Sequence, residues 1–148
     1  MHELRCPSHE TANFLIVDDD IVTIKSIQRA MNTLKIANPV LVANDGIEAL
    51  DLLRQSIGDS RKLSPFIVTL DLNMPRMGGH QFLEEIRSDE VLRKLIVFVL
   101  TSSDAPEDIA SAYEQNVAGY ILKEDPTNSL RNALKLLEEY SKIVLVPT

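Results

Sequence analysis

Two kinds of apolar segment alternate along the chain. The first kind is short, nearly continuous and rich in Val, Ile and Leu, which is typical of parallel strands covered on both faces. These predicted strands span residues 13–20, 39–44, 65–72, 95–102 and 119–123. Between them, apolar residues recur at helical spacing and predict amphipathic helices. The helical stripes comprise Ile21, Ile24, Ile27, Met31 and Leu34; Ile47, Leu50 and Leu53; Phe82, Leu83 and Ile86; and Leu130, Leu134 and Leu137.

Polar residues mark the starts of two of these helices. Asp45 with Glu48, and Asp104 with Glu107, have the spacing of a capping box, and Pro106 suits a first helical turn. The resulting (βα)5 alternation predicts an α/β protein, a three-layer doubly wound sandwich with right-handed crossovers. We expect the flavodoxin-like parallel sheet order 2-1-3-4-5.

Composition narrows the class of protein. The chain has 148 residues, enough for one domain, with 45% apolar and 25% charged residues. We predict an N-terminal arm over residues 1–12, a domain over 13–143 and a tail over 144–148. A net charge of −7 argues against nucleic acid or an anionic membrane surface as a partner. Cys6 is the single cysteine, so no internal disulfide can form, and we expect a cytoplasmic location.

Acidic residues follow two of the predicted strands. The first strand runs into Asp18, Asp19 and Asp20, and the third runs into Asp71. In the predicted order these strands are neighbours, roughly 5 Å apart, so their carboxylates would repel one another unless they bind protons or a cation. Oxygen ligands from loops suit Mg²⁺. For Asp20 a role as helix cap is the favoured interpretation, whereas no helix directly follows Asp71.

Two further polar residues follow the last two strands. Thr101 alone would be an ordinary helix cap, and Lys123 alone an ordinary solvated strand end. Together with the acids, however, a hydroxyl and an ammonium form a set of groups suited to holding phosphoryl oxygens. Asp71 is then the natural nucleophile, and the product would be an aspartyl phosphate.

The chain resembles the receiver domain of two-component response regulators from about residue 13 to residue 140. The resemblance is carried by four segments at the proper strand ends. They are Asp18-Asp19, the stretch DLNMPRMGG at 71–79, LTS at 100–102 and GYILK at 119–123. By this resemblance Asp71 accepts a phosphoryl group from a histidine of a sensor kinase. Mg²⁺ is then held by Asp18, Asp19, Asp71 and the backbone carbonyl of Asn73.

The same resemblance assigns a switch. Lys123 pairs with the phosphoryl oxygens, Thr101 moves toward them on activation, and Tyr120 corresponds to an aromatic residue that changes rotamer with Thr101. Two positions depart from the family pattern. Glu124 stands where a proline, often in a cis bond, usually follows the lysine, and Gly78 replaces a common acid.

The resemblance also predicts how the protein transmits its signal. The chain ends soon after the fifth predicted helix, so we expect signalling through protein contacts with a downstream protein rather than through an attached effector domain. The apolar end, LEEYSKIVLVP at 137–147, is similar to that of phytochrome-associated single-domain regulators. This favours a phytochrome-type kinase and a homodimer through the face of the fourth helix, fifth strand and fifth helix. A frayed helix end that packs on its own domain explains the segment equally well.

Three alternatives remain at this stage. A phosphatase of the haloacid dehalogenase type also uses an aspartate nucleophile, but it needs a second acid two residues later, and position 73 is Asn. A flavodoxin lacks support because no Ser/Thr/Gly-rich phosphate loop follows the first strand. A scaffold that is never phosphorylated stays open, although every acceptor-site group is present.

Overall fold

The computed structural model describes residues 12–57, 66–123, 132–136 and 139. Five strands alternate with helices in this part of the chain. The strands are β1 (Asn13–Val17), β2 (Val40–Ala43), β3 (Phe66–Leu70), β4 (Ile96–Thr101) and β5 (Gly119–Leu122). The helices are α1 (Ile21–Thr33), α2 (Gly46–Gln55), α3 (Gly79–Arg87) and α4 (Pro106–Glu114), with a 3₁₀ turn at Leu92–Lys94 before β4. Residues 132–136 and 139 are also helical.

The strands form one parallel sheet in the order β2-β1-β3-β4-β5, so the predicted fold class and strand order are confirmed. In β1, Val17 pairs with Ala43 on one side and with Leu70 on the other. The strand ends therefore meet at one edge, where β1 and β3 both stop. Because consecutive strands run outward in opposite directions from this pair, the edge is the switch point at which such folds bind ligands.

Each face of the sheet has its own apolar core. One core joins alternate strand residues to α2, α3 and α4, and its members include Val17, Leu70, Leu53, Phe82 and Ala112. The other joins the opposite strand residues to α1 and the helical residues 132–136, and its members include Ile16, Ile67, Ile27, Met31 and Leu134. Since β3 is buried along its whole length, two-sided coverage explains why its sequence is a continuous apolar run rather than an alternating one.

Two of the predicted helix stripes need correction at their first residue. Ile21 is 59% exposed and Ile47 is 36% exposed, although the later members of both stripes lie in the cores. Both residues lie in the first turn of their helix.

Helix caps were predicted correctly at α2 and wrongly at α4. The Asp45 side chain accepts a hydrogen bond from the backbone N–H of Glu48, and Glu48 in turn accepts from the N–H of Asn44. At α4, Pro106 begins the helix as predicted, but the N-cap is Ala105 and no side chain caps it. Asp104 therefore does not have the predicted capping role.

Arg87, at the end of α3, binds the segments that lead into β4 and β5. Its guanidinium donates to four backbone carbonyls, those of Gln115, Arg93, Leu95 and Asn116. Burial lowers the pKa of Arg87, and the carbonyl oxygens supply the acceptors that a buried guanidinium needs. None of the helices described here is both long and apolar enough to cross a membrane.

Candidate functional site

The backbone places two acids side by side just beyond β1 and β3. The N–H of Asp18 donates to the carbonyl of Ala43 at 3.0 Å, and the N–H of Asp71 donates to the carbonyl of Val17 at 2.9 Å. These bonds continue the sheet ladder by one residue, so both carboxylates stay near the edge while remaining buried, with exposures of 2% and 6%. The sheet itself thus forces two acids together.

Asp19 completes a cluster with these two acids. One carboxylate oxygen from each of Asp18, Asp19 and Asp71 lies within 4.8 Å of the others. Two such charges at 4 Å repel by roughly 4 kcal/mol at an effective dielectric constant near 20. An exposed carboxylate beside two buried ones, all of them oxygen ligands, fits a hard divalent cation that keeps some of its waters. Asp20 lies outside the cluster, because its side chain caps α1 through the N–H of Val22.

Lys123 brings positive charge to the same place. Its ammonium lies 2.7 Å from Oδ2 of Asp18 and 3.2 Å from Oδ2 of Asp71. Burial alone would lower the pKa of Lys123, but the hydrogen bond and charge of Asp18, with the charge of Asp71, outweigh it and the pKa is raised. Burial raises the pKa of Asp18, and contacts with Lys123 and the N–H of Asp20 only partly offset this. The lysine therefore stays charged among the acids.

The second oxygen of Asp71 is engaged by different groups. The Thr101 hydroxyl donates to Oδ1 at 2.9 Å, and the backbone N–H of Asn73 donates to the same oxygen at 3.3 Å. Thr101 is fully buried, whereas the Asn73 side chain is exposed. One carboxylate oxygen thus faces a hydroxyl and an amide, and the other faces an ammonium.

Tyr120, the aromatic residue predicted to take part in the switch, lies one contact away from this set. Its hydroxyl donates to the backbone carbonyl of Ser103 at 2.8 Å. Burial raises the pKa of Tyr120. Ser103 belongs to the segment that leaves β4, two residues after Thr101. The geometry therefore links the tyrosine to the segment that carries the hydroxyl.

The turn between β3 and α3 is shaped by a close backbone approach. A Cβ on Gly79 would lie 2.6 Å from the carbonyl oxygen of Asp71, so this turn glycine is required at that position. A Cβ on Gly78 would lie 3.2 Å from the nearest atom, the carbonyl oxygen of Leu72. Gly78 is the N-cap of α3 and offers no capping side chain.

A salt bridge between Arg76 and Asp45 links this turn to the residues that follow β2. The Arg76 guanidinium donates to Asp45 at 2.6 Å, and Arg76 has a φ of 61°, a conformation that few residues other than glycine adopt. The sequence signalled Asp45 only as a helix cap, so this contact between two loops was missed. The bond between Lys123 and Glu124 lies outside the described residues, since Glu124 is not among them.

The fold and the site together define a receiver-type signalling domain. A family model, the response regulator receiver domain, matches residues 14–135. The chain therefore belongs to this family, as its sequence resemblance indicated, and a receiver domain of a two-component system interacts with a histidine kinase.

Relatives include regulators from two different microorganisms. The chain is 35% identical over 126 residues to the probable methanogenesis regulatory protein FilR2 of Methanothrix harundinacea, covering 85% of this chain and 81% of the relative. It is 28% identical over 124 residues to the response regulator Rcp1 of Synechocystis, covering 84% and 82%.

Solved structures of other response regulators have the same fold. The phosphorylated cyanobacterial phytochrome response regulator RcpA superimposes with a TM-score of 0.81 at 31% identity, over 94% of this chain and all of that one. The Mn²⁺-bound form of Rcp1 gives a TM-score of 0.77 at 27% identity, over 93% and 99% of the two chains. The predicted similarity to phytochrome-associated response regulators is confirmed.

Proposed function

We propose that this receiver domain accepts a phosphoryl group on Asp71 from a phosphohistidine of a sensor kinase, in a reaction that requires Mg²⁺. The observation that carries the proposal is the surroundings of Asp71. One of its oxygens contacts Thr101, the other contacts Lys123, and Asp18 and Asp19 lie within metal-binding reach. Three clustered acids carry more negative charge than one lysine can neutralise, which favours a site for a cation and a phosphoryl group over a purely structural role.

In the proposed transfer, an Asp71 oxygen forms a bond to phosphorus as the bond to the donor histidine nitrogen breaks. Asp18, Asp19, Asp71 and the carbonyl of Asn73 would hold Mg²⁺, which supplies charge neutralisation at the phosphoryl oxygens when bound. The similarity to Rcp1, which has been solved in a Mn²⁺-bound form, supports a divalent cation here.

Lys123 and Thr101 take complementary parts in this proposal. The ammonium neutralises a second phosphoryl oxygen, and the hydroxyl donates to a third, so the charge that gathers during transfer meets fixed partners. Tyr120 changes rotamer when the segment that carries Thr101 moves. The domain catalyses its own phosphorylation and dephosphorylation, and exposed Ser102 is small enough to leave the acceptor accessible.

The test uses acetyl phosphate with Mg²⁺ as donor. The wild type should be labelled, Asp71→Asn should not, and chelation of the metal should abolish labelling. Asp51→Asn, which removes an exposed acid on α2, is the matched control and should label normally. Persistent labelling of Asp71→Asn would overturn the assignment of the acceptor. A wild type that takes up no label would make a scaffold that is never phosphorylated the better account.

A phytochrome-type sensor kinase is the proposed donor, because RcpA is named as a phytochrome response regulator. Phosphotransfer from purified kinases with and without a chromophore-binding module would test this.

The single cysteine and the kinase partner support a cytoplasmic location, and the net charge of −7 supports partners other than nucleic acid or membrane. We retain residues 13–143 as the receiver domain. Ala12, the last residue of the predicted arm, is buried, and its carbonyl accepts from Asn38.

We also propose that output to a downstream protein passes through a homodimer of the α4–β5 face and the helical residues 132–136. Each of these elements carries an exposed large apolar or aromatic side chain: Tyr113 at 49%, Leu122 at 38% and Leu136 at 67%. Leu122→Asp should abolish a dimer detected by light scattering in the presence of acetyl phosphate and Mg²⁺. Leu41→Asp, equally exposed at 38% on the opposite edge strand, should not.

A further inference from the structure

A histidine outside the acceptor cluster is joined to it by a chain of hydrogen bonds. His80 is the second residue of α3, and its Nε2 lies 3.0 Å from Oδ1 of Asp108 in the first turn of α4. An ionised carboxylate only accepts hydrogen bonds, so the N–H is at Nε2, which donates a hydrogen bond to Asp108. The contact therefore ties the start of α3 to the start of α4.

Asp108 also contacts the segment that follows β4. Its other oxygen accepts a hydrogen bond from the Ser103 hydroxyl at 2.5 Å. The hydrogen bonds from Ser103 and His80 hold the pKa of Asp108 below its usual range, so the carboxylate stays ionised at neutral pH. Ser103 is held from a second side by Tyr120, which donates to its carbonyl at 2.8 Å.

Ser103 in turn adjoins the hydroxyl that contacts the acceptor. It lies two residues after Thr101, and its backbone N–H is 3.5 Å from Oγ1 of Thr101. The same hydroxyl donates its hydrogen bond to Asp71 at 2.9 Å. Because the segment after β4 contains no regular structure until Pro106, its direction depends on the side-chain contacts of Ser103.

We propose that His80 is a positioning residue for phosphoryl acceptance. Through Asp108 and Ser103 it holds the segment after β4 so that Thr101 stays against Asp71. This inference rests on the proposed function of Asp71 as phosphoacceptor. Without the chain of hydrogen bonds, Thr101 would share its time between this position and others, and fewer molecules would be ready to bind a phosphoryl group.

The kinetic test compares variants of the whole chain in Mg²⁺ and acetyl phosphate. His80→Ala should slow labelling by about threefold to tenfold, the effect of losing one hydrogen bond that favours the competent state. His80→Gln should recover most of the rate, because the Gln amide nitrogen can donate at the place of Nε2. Gln81→Ala, the exposed neighbour on α3, should match the wild type.

A double-mutant comparison separates positioning from a general loss of stability. In a Thr101→Ala background, His80→Ala should produce no further slowing, since the group it positions is absent. An equal slowing in both backgrounds would show that His80 acts on the fold rather than on Thr101, and would overturn the inference.

A readout that needs no phosphorylation keeps the inference separate from the proposed function. In the unphosphorylated protein, His80→Ala should shift the methyl resonance of Thr101 in a ¹³C-labelled sample, and Gln81→Ala should leave it in place. Failure of the wild type to be labelled would refute the proposed function. Unchanged labelling by His80→Ala, or an unmoved Thr101 methyl, would refute the positioning role alone.

Discussion

The ammonium of Lys123 lies 2.7 Å from a carboxylate oxygen of Asp18. The lysine that follows β5 is thus bound to the acid that follows β1, and it lies farther, at 3.2 Å, from the acceptor Asp71. Since both acids are buried, the lysine supplies positive charge that offsets part of the repulsion between them. A divalent cation would compete with it for the same oxygens.

Replacing the lysine by an apolar residue of similar length tests this competition. Lys123→Met removes a rival of the cation and leaves more negative charge, so Mg²⁺ should bind at least as tightly as in the wild type, by calorimetry. Without Mg²⁺, the free energy of unfolding should fall by about 1–3 kcal/mol, because a buried carboxylate loses its partner. Lys25→Met, on the exposed side of α1, should change neither quantity. Weaker Mg²⁺ binding by Lys123→Met would show that the lysine assists the cation rather than competes with it.

Two adjacent acids offer a matched pair for the metal site. Asp19 contributes an oxygen to the acidic cluster, whereas the two oxygens of Asp20 accept from the N–H of Val22 and the hydroxyl of Thr23. Asp19→Asn should weaken Mg²⁺ binding by roughly tenfold or more, as expected when a charged ligand is lost. Asp20→Asn should stay within about twofold, since Asn also caps helices well. Calorimetric titration of both variants gives the comparison, and equal losses would contradict the separation of their roles.

The acid cluster and the fold could be predicted from sequence for a shared physical reason. Parallel strands buried on both faces produce continuous apolar runs, and the polar residue that ends each run must lie at one edge of the sheet. Asp18, Asp71, Thr101 and Lys123 each end such a run, so the parallel sheet brings all four to the same side of the molecule. Lys123 lies three strands away from Asp18 and reaches it through its long side chain.

Side-chain contacts between turns and helix starts could not be predicted in this way. The pairs Arg76 with Asp45 and His80 with Asp108 join residues 31 and 28 positions apart, and they depend on how each turn leaves its strand. Arg76 adopts a φ of 61° that its residue type does not signal. The incorrect cap prediction at Asp104 has a similar origin, because the segment before α4 is directed by the contacts of Ser103 rather than by its own capping preference.

The paired glycines before α3 provide a test of the close approach. A Cβ at position 79 would meet the backbone at Asp71 and Leu72, at 2.6 and 2.7 Å, so the turn would have to move. Gly79→Ala should lower the free energy of unfolding by about 1–3 kcal/mol, as overpacking does, and should weaken Mg²⁺ binding because Asp71 shifts. Gly78→Ala, with its nearest contact at 3.2 Å, should cost clearly less in urea unfolding. Equal losses at the two positions would contradict the assignment of the close contact to Gly79.

The salt bridge between Asp45 and Arg76 predicts that the free energy of unfolding depends on pH. Burial alone would raise the pKa of Asp45, but hydrogen bonds from the N–H of Glu48 and from Arg76 outweigh it, and the pKa is lowered from 3.8. The unfolded chain therefore takes up the proton first as pH falls. The stabilisation from the charged form is fully present above pH 3.8 and is lost as pH drops through the lowered pKa of the folded state.

Asp45→Asn isolates this charge, because Asn preserves the helix cap but does not titrate. The wild type should be more stable than Asp45→Asn at neutral pH, and the difference should shrink as pH falls below about 4, near the pKa of an unperturbed aspartate. Urea unfolding at a series of pH values measures both. Glu85→Gln, which removes an exposed acid on α3, should track the wild type throughout. A difference between wild type and Asp45→Asn that stays constant into acid would mean that Arg76 stabilises the turn by packing and hydrogen bonding, with no contribution from the carboxylate charge.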